Sequence, residues 1–193
     1  APPYTELLAW LEGNASAPDI SDKVVFHPVM LSHPLEEQDH TSINLQDWQA
    51  EWKYDGIRVQ YVCTPHGKAL FSRTGDDISH SFPDIPRLIA SHCVLDGELL
   101  VLRDGVIGSF NDLQQRLGKK SPTAKLIKER PAGLMLYDAL SLDDKDLTKL
   151  PLTKRREALR TWQRDQQHPQ LLFSEAVQFN NIDELHCFRE III

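Results

Sequence analysis

Between Asp47 and Gly105 short β-prone runs alternate with tight-turn signals, and this alternation restricts the chain to a sheet built largely from antiparallel strands. "RVQYVC" (58–63) and "KALFSR" (68–73) flank "TPHG" (64–67), where Gly67 supplies the permissive backbone that a short hairpin connection needs. "VLDGELLVL" (94–102) reads as an apolar strand ending at the "RDG" turn, and "QAEWK" (49–53) as a strand leading into "YDGI". "FPDIPRLIASH" (82–92) predicts a short helix bounded by Pro83 and Pro86 and carrying Leu88 and Ile89.

Beyond Gly105 helical signals take over. Ser109 is a candidate N-cap for a helix with Phe110, Leu113 and Leu117 at helical spacing, stopped by Gly118. "PTAKLIKER" (122–130) predicts a second helix, "AGLMLYDAL" (132–140) a strand, and "LTKRREALRTWQRD" (152–165) a charged helix with Leu152, Leu159 and Trp162 facing the core. "LLFSEAVQF" (171–179) follows as a strand and "NIDELHCFREI" (181–191) as a helix capped by Asn181. The first 40 residues hold Pro2, Pro3, Pro18, Pro28 and Pro34 and are less regular, with one helix expected at "YTELLAWLEG" (4–13). The sum is an α+β arrangement with helices packed on an antiparallel sheet.

Composition narrows the chemistry. The 193 residues, 41% hydrophobic and 25% charged, suit a folded domain, and no run approaches the ~18 apolar residues of a membrane helix. "APPYTELLAW" has no basic region followed by an apolar one, so an intracellular protein is expected. Cys63, Cys93 and Cys187 are far apart and unpaired in pattern, predicting buried free thiols; the histidines lack metal-ligand spacing. The net charge is -7, yet within 116–130 Arg116, Lys119, Lys120, Lys125, Lys128 and Arg130 stand against Glu129 alone. Such a stripe suits contact with a phosphate backbone, or is a solvated helix face.

The stretch "EWKYDGIR" (51–58) poses the central question. Lys53 sits at a strand-turn junction, where it is either a positioned nucleophile or a surface lysine paired with Glu51 or Asp55. Attack requires the neutral amine, and Arg58 is a nearby positive charge that would favour it. Arg73 in "FSRTGDD", Glu98 inside the apolar "LDGELLV" and Tyr137 in "LMLYDAL" add phosphate or ribose partners, a carboxylate that burial obliges to find a partner, and an aromatic platform.

These segments carry a resemblance. "KYDGIR" matches the KxDGxR signature of covalent nucleotidyltransferases, and "FSRTGDD", "LDGEL" and "YDAL" follow in the order seen in ATP-dependent DNA ligases. The run "GSFNDLQQRLGKK" with "LPLTKRREAL" resembles most the bacterial ligases of the cisplatin-damage-response type. The resemblance implies an antiparallel-sheet, ATP-grasp-like adenylation domain over 25–193, preceded by an irregular or helical segment at 1–24. It implies that Lys53 attacks the α-phosphate of ATP to form lysyl-AMP, that AMP passes to a 5′-phosphate at a DNA nick, and that the 3′-hydroxyl displaces it. Glu51 would read the adenine amino group, Arg58 and Arg73 would contact ribose or phosphates, Glu98 would bind ribose or Mg²⁺, and Tyr137 would stack on adenine.

Partners implied are nicked double-stranded DNA, with phosphate contacts from Arg116, Lys119, Lys120 and Lys125, and no membrane. A monomeric, cytoplasmic bacterial protein, nucleoid-associated when acting in repair or recombination, is expected. The family's "EG" segment, its lysine-rich segment and its OB-fold have no match before Ile193, so a chain cut inside a longer protein is expected, with weak or absent self-adenylation and no sealing on its own. Rival readings are an RNA ligase, a GTP-using mRNA capping-type guanylyltransferase, and a noncatalytic nucleotide- or DNA-end-binding module.

Overall fold

The computed structural model describes residues 4–16, 24–30 and 44–185. At its centre β2 (Ile57–Thr64), β3 (Gly67–Ser72), β4 (Cys93–Arg103) and β6 (Ala132–Leu142) run antiparallel in the order β3-β2-β4-β6. The expected β2–β3 hairpin forms, with Thr64 opposite Gly67 across the turn and Gly67 at φ +152°. Asp104 and Gly105 both take positive φ, so the chain reverses after β4 into β5 (Val106–Ile107), a connection that favours Gly at its second position. β7 (Lys145–Asp146) pairs with one end of β6, and β8 (Leu171–Phe173) lies parallel to the other.

The two faces of this sheet have different coverings. Val59, Tyr61, Leu95, Leu99, Leu134 and Leu136 meet Phe82, Ile85, Ile89, Leu113, Leu159 and Trp162 in the main core. The opposite face holds a smaller apolar cluster, Val62, Ala69, Phe71, Val94 and Leu140, against Val24 and Phe26. Side chains alternate along a strand, so Arg58 and Gln60 share Val62's face, and Arg58 stands directly opposite Glu98 in register. One end of this face is thereby apolar and the other ionic.

Helices α1 (Tyr4–Leu11), α2 (Phe110–Gln114), α3 (Ala124–Glu129) and α4 (Leu152–Gln166) complete the main elements. Ser109 caps α2 as predicted, its hydroxyl accepting from Asp112 N–H, and Thr123 caps α3 through Leu126 N–H. Asn181 accepts from Glu184 N–H at the start of the helical turn at 182–185; the rest of that predicted helix and Cys187 lie outside the described residues. Cys63 and Cys93 are buried free thiols. Among the described residues no helix is long and apolar enough to cross a membrane.

Several expectations need correction. The segment at 82–92 forms a 3-10 turn at Ile85–Arg87, because two prolines leave too few N–H donors for an α-helix. Leu159 and Trp162 are buried as expected, but Leu117 and Leu152 are 41% and 40% exposed, and the other buried positions of α4 go to Arg155 and Arg156. The strand at 171–179 splits into β8 and β9 (Ala176–Val177). At the break Ser174 donates its N–H to Leu136 O and its carbonyl accepts from Arg156, so neither group serves a continuous ladder. "QAEWK" contributes only β1 (Ala50–Glu51), which pairs with β9 in a separate two-stranded sheet.

Candidate active site

The groove lies at the ionic end of the sheet and encloses about 660 Å³. Glu51, Lys53, Arg58, Arg73, Glu98 and Tyr137, singled out from four separated sequence segments, all line it, together with Trp52, Tyr54, Asp55, Gly56, Ser72 and Thr74.

Lys53 is exposed on the connection from β1 to β2. What fixes that connection is Gly56: a Cβ there would fall 2.5 Å from Leu99 O and 2.7 Å from Glu98 Cγ, so the loop rests directly on β4. Gly56 is therefore demanded by contact as well as by turn chemistry. Gly97 serves β4 in the same way, its missing Cβ leaving room for Met135 O on β6.

Arg58 is held, not loose. Its Nη2 donates to buried Asp96 at 2.6 Å and to Met30 O at 2.9 Å, and its guanidinium lies 5.6 Å from the centroid of the Tyr137 ring. Burial pushes the Asp96 carboxyl above its ordinary range, opposed by the Arg58 bond. Arg58 Nε and Asp96 Oδ1 remain buried without a hydrogen-bond partner. Glu98 is half-buried beside Arg58; desolvation pushes its carboxyl up to about 7, against the pull of Lys53, Arg58 and the Gly56 amide. Its proton thus comes on or off near neutral pH, where loss of the proton creates an acceptor facing the groove. Burial likewise raises the Tyr137 hydroxyl, leaving its ring flanked by Arg58.

Glu51 is paired with Arg156 and Gln49, not with Lys53. Its Oε2 accepts from Arg156 Nη1 at 2.9 Å and its Oε1 from Gln49 Nε2 at 2.7 Å. Asp96 and Arg156 are the residues that inspection of the sequence passes over. Asp96 lies inside the strand expected at 94–102, two residues before the more conspicuous Glu98; Arg156 sits in "TKRRE" and reads as solvated charge. A signal for α4 was present: Arg155, Leu159 and Trp162 recur at i, i+4 and i+7, so an arginine occupies the apolar stripe.

The expected phosphate contact by Arg116 is overturned. Its side chain is fully buried, donates to both oxygens of Asp84 and to the carbonyls of Ser81 and Arg130, and lies 4.7 Å from the Phe82 ring centroid. Arg130 is taken by Asp112 at 3.0 Å. Lys119, Lys120 and Lys125 are exposed, and Lys125 shares a cavity of about 610 Å³ with Arg103, Lys128, Glu129 and Arg130.

The backbone is that of ligase adenylation domains. It matches the ligase domain of LigD from M. tuberculosis with a TM-score of 0.56 at 24% identity, over 74% of this chain and 44% of that one. It matches a Lig E DNA ligase with a TM-score of 0.62 at 16% identity, over 87% and 58%. The sequence fits the family model of the ATP dependent DNA ligase domain over residues 29–193, and the chain belongs to that family. Among curated relatives a probable DNA ligase of Koribacter versatilis (strain Ellin345) is 37% identical over 140 residues, 70% of this chain and 24% of that protein. One of Anaeromyxobacter sp. (strain Fw109-5) is 35% identical over 135 residues, 67% and 26%. The chain thus spans about a quarter of the length of these relatives.

Proposed function

We propose that this chain is the nucleotide-binding and adenylating part, 25–193, of an ATP-dependent DNA ligase acting in DNA repair. The observation that carries this reading is the convergence of Lys53, Glu51, Arg58, Arg73, Glu98 and Tyr137 on one groove. Tyr137 stacks on adenine and Glu51 accepts from its amino group. Arg58 and Arg73 hold ribose and phosphate oxygens. Lys53 Nζ, having lost a proton, bonds to the α-phosphorus as the bond to the pyrophosphate oxygen breaks, leaving AMP on the lysine as a phosphoramidate. A DNA 5′-phosphate then takes the AMP, and the 3′-hydroxyl of the nick displaces it. Positioning and charge neutralisation dominate such transfers, and the groove's two arginines supply both.

Mg²⁺ fits this donor set. Among the described residues no cluster of three or more His, Cys, Asp or Glu side chains exists, but Mg²⁺ commonly uses one or two carboxylates plus substrate phosphates. Glu98, once ionised, is the carboxylate that would hold it. When bound, the ion neutralises charge on the leaving phosphates.

The test is mass spectrometry of the protein after exposure to ATP and Mg²⁺. The Lys53 peptide should carry AMP, even at sub-stoichiometric yield, and hydroxylamine should remove it. A Lys53 peptide that stays unmodified in the full-length protein, while that protein binds ATP, would favour the noncatalytic binding module.

The DNA surface, on this reading, includes Lys119, Lys120 and Lys125. Changing the three to alanine should flatten the plot of log affinity for nicked duplex against log salt by about 0.9 for each phosphate no longer neutralised. An unchanged slope would remove this stripe from the interface.

A further inference from the structure

Glu51 and Tyr137 belong to different sheets: β1 pairs with β9, while β6 lies in the seven-stranded sheet. Their relative position depends on what bridges the two, and Arg156 does. Its Nη1 donates to Glu51 Oε2 at 2.9 Å and to the Tyr137 carbonyl at 2.8 Å, and its Nη2 donates to the Ser174 carbonyl between β8 and β9. The guanidinium lies 4.8 Å from the Phe173 ring centroid and is almost wholly buried. Three acceptors from three segments are thus tied to one rigid, planar group that cannot lose its charge.

We infer that Arg156 is the positioning residue for nucleobase selection, fixing the Glu51 carboxylate against Tyr137 so that the groove takes a 6-amino purine over a 6-oxo purine. This rests on the nucleotide-binding reading above. A carboxylate offers acceptors only. Each Glu51 oxygen has one partner, Gln49 or Arg156, and keeps a lone pair for an exocyclic amino group. Against a purine carbonyl the same lone pairs repel. That discrimination holds only while the carboxylate stays in place; a free glutamate would swing aside or admit a bridging water. Lys53, two residues on, acts at the phosphate, so base choice and nucleophilicity are separable.

Equilibrium binding of ATP and of ITP, which differs at the purine 6 position, tests this by calorimetry. The unaltered protein should prefer ATP by about 10–100-fold. In Arg156→Gln the preference should fall below about 3-fold, mainly through weaker ATP binding. Arg156→Lys can pair with Glu51 but cannot span all three acceptors, and should fall between. Phe173→Leu keeps the arginine and removes its aromatic platform; it should lower the ratio too, and it decides the matter if circular dichroism shows Arg156→Gln unfolded. Equal loss of both nucleotides in a folded variant, or an unchanged ratio, overturns the proposal and leaves Arg156 a scaffold residue. An unaltered protein that binds both nucleotides equally overturns it while nucleotide binding stands; one that binds neither removes the reading beneath it as well.

Discussion

Replacing Arg116 with alanine should cost the fold about 3–5 kcal/mol, because it removes one partner of a buried ion pair and leaves the other. Arg116 is fully buried between α2 and the turn at 81–84, and its fork takes both Asp84 oxygens as well as the Ser81 and Arg130 carbonyls. Asp84 would keep only the Ala132 amide, at 3.0 Å, and two carbonyls would lose their donor in a site too enclosed for solvent to restore all of them. Arg116→Lys should recover only part of the loss, since an ammonium cannot match the fork. Urea unfolding measures both. The salt slope of DNA binding should stay the same in any folded Arg116 variant; a change there would return this residue to the DNA surface.

The second large effect is at Glu98, where stability and chemistry should move in opposite directions. Its folded carboxyl titrates near 7, against 4.5 as the ordinary value, so the folded protein binds this proton more tightly than the unfolded chain. Stability therefore falls as pH rises from about 4.5 to 7 and is level above that. Glu98→Gln lacks the penalty. Allowing for solvent screening of a half-exposed group, it should be more stable at pH 8 by about 1–2 kcal/mol, with the advantage gone near pH 4. On the proposed function, AMP transfer to Lys53 should fall at least about 100-fold in the same variant, since the proposed acceptor for ribose or Mg²⁺ is lost. Thermal melts at several pH values and the adduct yield read the two effects. A variant less stable at pH 8, or one that adenylates normally, would sink this account of Glu98.

The strand-and-turn alternation at 57–105 and the cap at Ser109 were legible because local chemistry decides them: a Gly turn, a hydroxyl beside a free amide. The membership of the groove was legible through the resemblance more than through position, since position alone allowed Lys53 to pair with Glu51. What stayed hidden were the buried arginines. Arg116, Arg155 and Arg156 are charges whose carboxylate partners, Asp84, Asp138 and Glu51, lie 17 to 105 residues away, so no local window contains the opposite charge. Arg155 faces Asp138 through two bonds of 2.8 and 2.7 Å, so a helix that looks solvated is anchored by its cations. The split at Ser174 escaped notice for the same reason: the groups that interrupt the strand come from β6 and α4.

The contact at Gly56 sets a dimension that substitution cannot adjust. With Leu99 O only 2.5 Å from where a Cβ would stand, the loop bearing Lys53 is packed directly on β4, and Glu98 belongs to the same strand beneath it. The spacing between the loop that carries Lys53 and the strand that carries Glu98 is thus a ruler made of van der Waals radii. Such a ruler has no finer graduations: a side chain added at this position must displace the whole loop, so variation in this site has to come from the groups around the rim.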